Sequence, residues 1–258
     1  MKIALAQINI VFEDKHSNFV TVEEFVRQAV INDAEFIIFP EMTCTGFTMN
    51  SEKLAEKNNE TVQFMKKISK QYHIKICFGQ PVSRSGKTYN NLMIIDGEKE
   101  LLSYDKMHLI GEENNHYVRG DTISSCVISQ MTFSALICYD LRFPEIFQYA
   151  SLHSDVIIVI ASWPEIRDDH WLTLLKARAI ENQCYIIGVN RVGKDREHSY
   201  LGHSVVYNSY GEMISSLSEE EENIYIEICK DDIKNAIKGF DTKKDRRNVL
   251  YFDLYNKM

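Results

Sequence analysis

An α/β fold with mixed sheets covered by helices is the class this sequence predicts. Short apolar strand-like runs recur along the chain, stretches of helical periodicity separate them, and hairpin-like pairs interrupt the alternation. The first strand is Ile3 to Ile8, and a helix over Phe19 to Ile31 follows. Phe19, Val22, Phe25, Val26, Ala29 and Val30 fall on one face of that helix, with Ser17 or Asn18 as its cap. Phe36 to Phe39 reads as a buried strand, Val62 to Tyr72 as a helix and Ile74 to Gly79 as a strand. Strands around Tyr89 to Ile95 and Glu100 to Tyr104 are joined by the turn residues Asp96-Gly97. The run Ser134 to Ile137 is a further strand, before a helix from Glu145 to Leu152, a strand from Val156 to Ile160, a helix from His170 to Asn182 and a strand from Tyr185 to Val189. Two last strands, His203 to Asn208 and Met213 to Leu217, flank Ser209-Tyr210-Gly211.

The 258 residues read as one domain, 1–258, because no Pro/Gly/Ser-rich linker or break in composition divides them. A net charge of -8 argues against a nucleic-acid partner, since phosphate binding calls for a basic surface. The run Glu219 to Glu222 reads as a solvated turn between strands. The opening segment has one lysine, apolar residues broken by Gln7 and Asn9, and no small-residue cleavage site, so a core strand is expected rather than a signal peptide. No stretch approaches the roughly 20 apolar residues of a membrane span, and a cytoplasmic location is expected. Six cysteines with no Cys-x-x-Cys pair suggest neither a disulfide scaffold nor a zinc site. Cys77, Cys184 and Cys229 are expected in the core, while Cys44, in the loop after Glu41, is a candidate pocket residue. No glycine pattern for nucleotide phosphates and no histidine pair with metal-binding spacing occurs, so no cofactor and no metal are expected.

Chemistry concentrates at three strand ends. Cys138 sits where a buried strand turns into Leu141-Arg142-Phe143-Pro144-Glu145. There the strand end holds the thiol, and free N–H groups at the helix start are expected to lower its pKa and to bind an oxyanion. Glu41 ends the apolar run Phe36 to Phe39, where an unpartnered carboxylate costs desolvation energy. Lys106 closes a short strand in Tyr104-Asp105-Lys106-Met107-His108. A thiol, a carboxylate and an ammonium suffice for acyl transfer. A Cys–His hydrolase using His108, His116, His170 or His203 is the other arrangement considered. It lacks a Gly-x-Cys-x-Gly elbow and leaves Glu41 without a role.

Pro40-Glu41-Met42, Tyr104 to His108 and Cys138 to Glu145 together resemble the Glu, Lys and Cys motifs of the nitrilase superfamily of carbon–nitrogen hydrolases, over nearly the whole chain. Ser162-Trp163-Pro164, His170-Trp171 and Ala177 to Gln183 resemble its omega-amidase branch most closely. The resemblance implies a four-layer α-β-β-α sandwich and a dimer paired through helices near the cysteine. It implies Cys138 as nucleophile, Glu41 as general base and then acid, and Lys106 as stabiliser of the tetrahedral intermediate. An auxiliary glutamate is also implied, and Glu113 fits its place better than Glu112. One departure is Phe240-Asp241, where the family often has Phe-Pro. These catalytic residues alone serve amides, nitriles and N-carbamoyl compounds equally. The branch favours a small amide, 2-oxoglutaramate or 2-oxosuccinamate, hydrolysed to the 2-oxo acid and ammonia. Such a ligand has a free carboxylate: Arg167 is expected either to contact it or to be a solvated loop charge paired with Asp168 or Asp169, with Trp163 lining the pocket and the Tyr139 N–H helping to hold the oxyanion. Arg142 is expected to brace Glu145 or the nucleophile's turn, and His170 with Trp171 to cap or pack the helix they begin.

Overall fold

The computed structural model describes residues 1–55 and 59–257. In chain order the first half runs β1 (Lys2–Gln7), α1 (Lys15–Ile31), β2 (Phe36–Ile38), α2 (Ser51–Leu54), α3 (Glu60–Tyr72), β3 (Lys75–Arg84), β4 (Lys87–Asp96), β5 (Lys99–Asp105) and α4 (Glu113–His116). It continues with β6 (Ser125–Ile128), β7 (Met131–Ile137), a 3-10 turn (Cys138–Arg142), α5 (Pro144–Ala150), β8 (Val156–Ala161) and α6 (Asp168–Asn182). The remainder is β9 (Tyr185–Asn190), β10 (Val192–Lys194), β11 (Ser199–Leu201), β12 (Val205–Tyr207), β13 (Glu222–Glu227), α7 (Lys230–Gly239) and α8 (Asn248–Tyr255).

Two mixed sheets carry the fold. One has the order β13-β1-β2-β3-β4-β5 and the other β12-β9-β8-β7-β6, with β10 and β11 forming a separate hairpin. The alternation of side chains along each strand sorts them into two cores. Ile3, Leu5, Phe36, Ile38 and Cys77 face the second sheet, packing with Phe133, Ala135 and Ile158. Their neighbours Ala4, Ala6, Ile37, Ile76 and Phe78 face α1 and α3. Phe36 and Phe133 meet edge to face across the sheets, ring centroids 5.9 Å apart. Trp171, Leu175 and Ala179 of α6 cover the far side of the second sheet. Helices, sheet, sheet and helices therefore stack as a four-layer α-β-β-α sandwich. No helix among the described residues is long and apolar enough to cross a membrane.

Several boundaries differ from the sequence reading. Helix α1 starts at Lys15 because Asp14 caps it, accepting from the Ser17 N–H at 3.1 Å. Asn18, buried, ties down Val11 and the Cys44 carbonyl instead. Strand β3 runs on through Pro81 to Arg84 and forms a hairpin with β4. Met213 to Leu217 is no strand, since only a single bridge, Tyr207 to Met213, forms there. Strand β6, the hairpin β10–β11, strand β13 and helices α7 and α8 are additions. Cys229 is exposed rather than in the core, while Cys77 and Cys184 are buried. At Phe240-Asp241 the Asp241 side chain accepts from the Lys243 N–H and makes its own turn.

Candidate active site

The strand ends converge because the sheets face each other. Glu41 lies just beyond β2, in a tight turn in which Met42 is left-handed (φ 48°). Strand β3 passes so close beneath this turn that a Cβ on Gly79 would stand 2.6 Å from the Met42 nitrogen, so glycine is required there. Lys106 follows β5, with its N–H donating to the Asn90 carbonyl on β4 (2.9 Å) and its own carbonyl accepting from Gly120 (2.9 Å). Glu113 opens the single turn α4.

Glu41, Lys106 and Glu113 are all fully buried (0% exposed). Lys106 Nζ lies 2.9 Å from Glu41 Oε1 and 2.8 Å from Glu113 Oε2. Asn90 Nδ2 donates to both carboxylates, at 2.8 Å to Glu41 Oε1 and 3.1 Å to Glu113 Oε1. The Ser162 N–H donates to Glu41 Oε2 (2.9 Å) and the Ile110 N–H to Glu113 Oε2 (2.9 Å). Burial works against the Lys106 charge, but the flanking carboxylates outweigh it and hold the ammonium above the ordinary lysine range. Burial lifts the Glu113 carboxyl above the ordinary glutamate range, against the opposing pull of Lys106. Glu112 is exposed, at the rim of the neighbouring cavity. Of the two neighbouring glutamates it is Glu113 that meets Lys106.

Cys138 follows β7 in the left-handed region (φ 46°) and begins the 3-10 turn. A non-glycine residue there stores roughly 1–3 kcal/mol of strain. Asp140, fully buried, holds the turn: Oδ2 accepts from the Ile137 N–H (3.0 Å) and the Tyr104 hydroxyl (2.8 Å), and Oδ1 from the His108 N–H (3.0 Å). The His108 ring, 2.8 Å from the same oxygen, stacks on Phe143. The thiol pKa is raised, not lowered as expected from the N–H groups at the helix start. Burial and the Glu41 carboxylate push it well above the ordinary cysteine range, with Lys106 opposing, so the resting group is a neutral thiol.

Cys138 is 8% exposed, and that exposure opens onto a cavity of about 510 Å³. Tyr139, Trp163 and Arg167 line it. Trp163 is fixed by Asn190, whose amide accepts from its N–H (2.8 Å) and donates to its carbonyl (3.0 Å). The Arg167 side chain, half-buried, makes no ion pair with Asp168 or Asp169; Asp168 instead meets His203 at 2.8 Å. Arg142 does not brace Glu145. Its guanidinium lies 5.0 Å from the Trp163 ring centroid and 3.3 Å from His170 Nδ1, inside the cavity wall. Cys44 packs in the core beneath α1 and lines no part of the cavity, because the loop turns its side chain inward. Trp171 is buried and donates to the His203 carbonyl, so it packs α6 as expected.

Sequence reasoning missed Asn90, Asp140 and the hairpin β10–β11, whose tip brings Arg196 to the cavity. Arg196 lies 5.3 Å from the Phe12 ring centroid. Asn90-Asn91, directly before the apolar run Leu92 to Ile95, was a usable signal, since buried amides need partners. Among the described residues no group of three or more His, Cys, Asp or Glu side chains is placed to hold a metal ion.

The family model of the carbon-nitrogen hydrolases matches residues 2–238. The chain belongs to the carbon–nitrogen hydrolase family. As a carbon–nitrogen hydrolase it acts on C–N bonds other than peptide bonds. It is 30% identical to the 2-oxoglutaramate amidase of Bacillus subtilis, over 96% of this chain and 98% of that protein. It is 32% identical to the omega-amidase YafV of Yersinia enterocolitica, over 83% of each. The solved structure of a CN-hydrolase superfamily protein from Xanthomonas campestris superposes with a TM-score of 0.90 at 25% identity, covering 95% of this chain and 97% of that one.

Proposed function

We propose that this carbon–nitrogen hydrolase is an amidase that cleaves a short dicarboxylic acid monoamide, 2-oxoglutaramate or 2-oxosuccinamate, through a thioester on Cys138. The observation that carries this reading is the position of the thiol. It forms the floor of the cavity, while the charges of Glu41, Lys106 and Glu113 act on it from the buried side. The names borne by the Bacillus and Yersinia relatives supply the substrate class.

Because the resting cysteine is a thiol, attack requires a base. Glu41 takes the Sγ proton as sulfur bonds to the amide carbon, and the carbonyl oxygen gains the charge. Lys106 and the Tyr139 N–H at the start of the turn hold that oxyanion. The C–N bond then breaks as Glu41 returns the proton to nitrogen, and ammonia leaves. Water gives a proton to Glu41 and its oxygen attacks the thioester. The C–S bond breaks, sulfur recovers the proton, and the 2-oxo acid is released. Glu113 keeps Lys106 in place from its other side. Arg167 contacts the substrate's free carboxylate across the cavity, beside Trp163.

Ammonia release from a panel of 2-oxo monoamides, uncharged amides, nitriles and N-carbamoyl amino acids tests the reading. The 2-oxo monoamides should have the highest kcat/KM. Preference for a nitrile or a carbamoyl compound would remove the substrate assignment and keep the thioester chemistry. Absence of turnover on every compound, with an unreactive Cys138, would favour a binding module.

A further inference from the structure

Asn90 touches more of the buried charge cluster than any group except Lys106. It is fully buried on β4. Its two amide N–H groups reach one carboxylate each, and its backbone carbonyl accepts from the Lys106 N–H. Its side-chain Oδ1 has no partner among the described residues. The reverse orientation of the amide would aim a carbonyl at two carboxylates, so the donors are what this site uses. An ionised carboxylate offers about four lone-pair positions, two on each oxygen. On Glu41, Lys106 and Asn90 occupy both positions of Oε1, and Ser162 occupies one of Oε2. A single position is left, on Oε2.

We propose that Asn90 is a positioning residue that fills the second lone pair of Glu41 Oε1 and thereby confines proton exchange with Cys138 and water to Oε2. The inference rests on the reading of Glu41 as the general base. With Asn90 in place the proton has one landing point, so every transfer of the cycle uses the same oxygen in the same direction. Without Asn90 a second landing point opens on the oxygen bonded to Lys106. Protonation there disrupts the ammonium that holds the oxyanion. The same amide also ties Glu113 to Glu41, which fixes the gap that Lys106 bridges.

The test is Asn90→Ala, with Asn90→Ser as a variant that can keep one donor, each checked by thermal melting. For a folded Asn90→Ala protein kcat should fall at least about ten-fold while KM changes less than about three-fold, because proton transfer is worth about 10²–10⁴ in rate. The acid limb of the pH–kcat profile should move up by about one pH unit, because a carboxylate stripped of a donor is protonated more easily. Asn90→Ser should fall between the two. An unmoved acid limb in whichever variant folds overturns the inference, and so does failure of both variants to fold, which would make Asn90 structural only. Glu41→Gln separates the two layers. Near wild-type turnover in it removes the general base and this inference together, whereas an inactive Glu41→Gln beside an unmoved acid limb removes only the role of Asn90.

Discussion

At the scale of single residues the site sets a thiol beside a carboxylate and an ammonium, and on the proposed reading each has a distinct expected signature. Cys138→Ala should abolish turnover and leave the circular dichroism unchanged, since it removes the nucleophile and one small group. Glu41→Gln should lose about 10²–10⁴ in kcat, because an amide cannot carry the proton; near wild-type rates in either variant would take that residue out of the mechanism. Lys106→Ala should lower kcat more than it raises KM, and Lys106→Arg should not restore it, because a planar fork cannot occupy the point of a compact ammonium between two carboxylates. The sign of the thiol shift adds a second readout. Lys106 is the charge that opposes burial and Glu41 at Cys138, so its removal should move the pH dependence of Cys138 alkylation upward; a downward move would show the ammonium acting elsewhere. Arg167→Ala should raise KM for 2-oxoglutaramate far more than for an uncharged short amide, as a charge-assisted bond contributes roughly 1.5–3 kcal/mol. Equal effects on both would return Arg167 to the role of a rim charge.

At the scale of elements the chemistry depends on how closely backbones approach. Gly79→Ala is expected to cost about 1–3 kcal/mol of stability and a larger share of activity, because the added carbon meets the backbone of the turn that carries Glu41. Urea denaturation and steady-state rates on one preparation would check it; full activity would mean that the turn yields without moving the carboxylate. The strands that carry Glu41 and Cys138 were legible because each is an unbroken apolar run ending in a polar residue, a pattern that local sequence carries. Lys106 stood out as the end of a short strand, Glu113 only through the resemblance to the family's pattern, and the cavity position of Trp163 and Arg167 through their place after a core strand. Strand β13 was not legible, since Glu222-Asn223-Ile224-Tyr225 lacks strict alternation and becomes a strand by pairing with β1 from the far end of the chain. Asn90 and Asp140 escaped notice for a related reason. Their importance lies in partners 49 and 36 positions away in sequence, and no local periodicity encodes those. The direction of the thiol shift was missed because burial among carboxylates, a tertiary property, outweighs the local field of a helix start.

At the scale of the whole molecule the site exists only where two separately built sheets meet. Glu41 and Lys106 follow strands of one sheet and Cys138 follows a strand of the other. Phe133→Ala, at the edge-to-face contact between the sheets and away from the cavity, should destabilise the fold by about 3–5 kcal/mol. It should also depress kcat under conditions where the protein is still folded; unchanged turnover in the folded variant would mean that the sheets hold their spacing without that ring. The seam has a practical use. The exposed Cys229 can report general solvent access, whereas the chemical character of Cys138 depends on charges mounted across the gap. Its relative labelling rate is thus an internal gauge of sheet-to-sheet distance, readable by mass spectrometry on unmodified protein during heating, ligand binding or refolding.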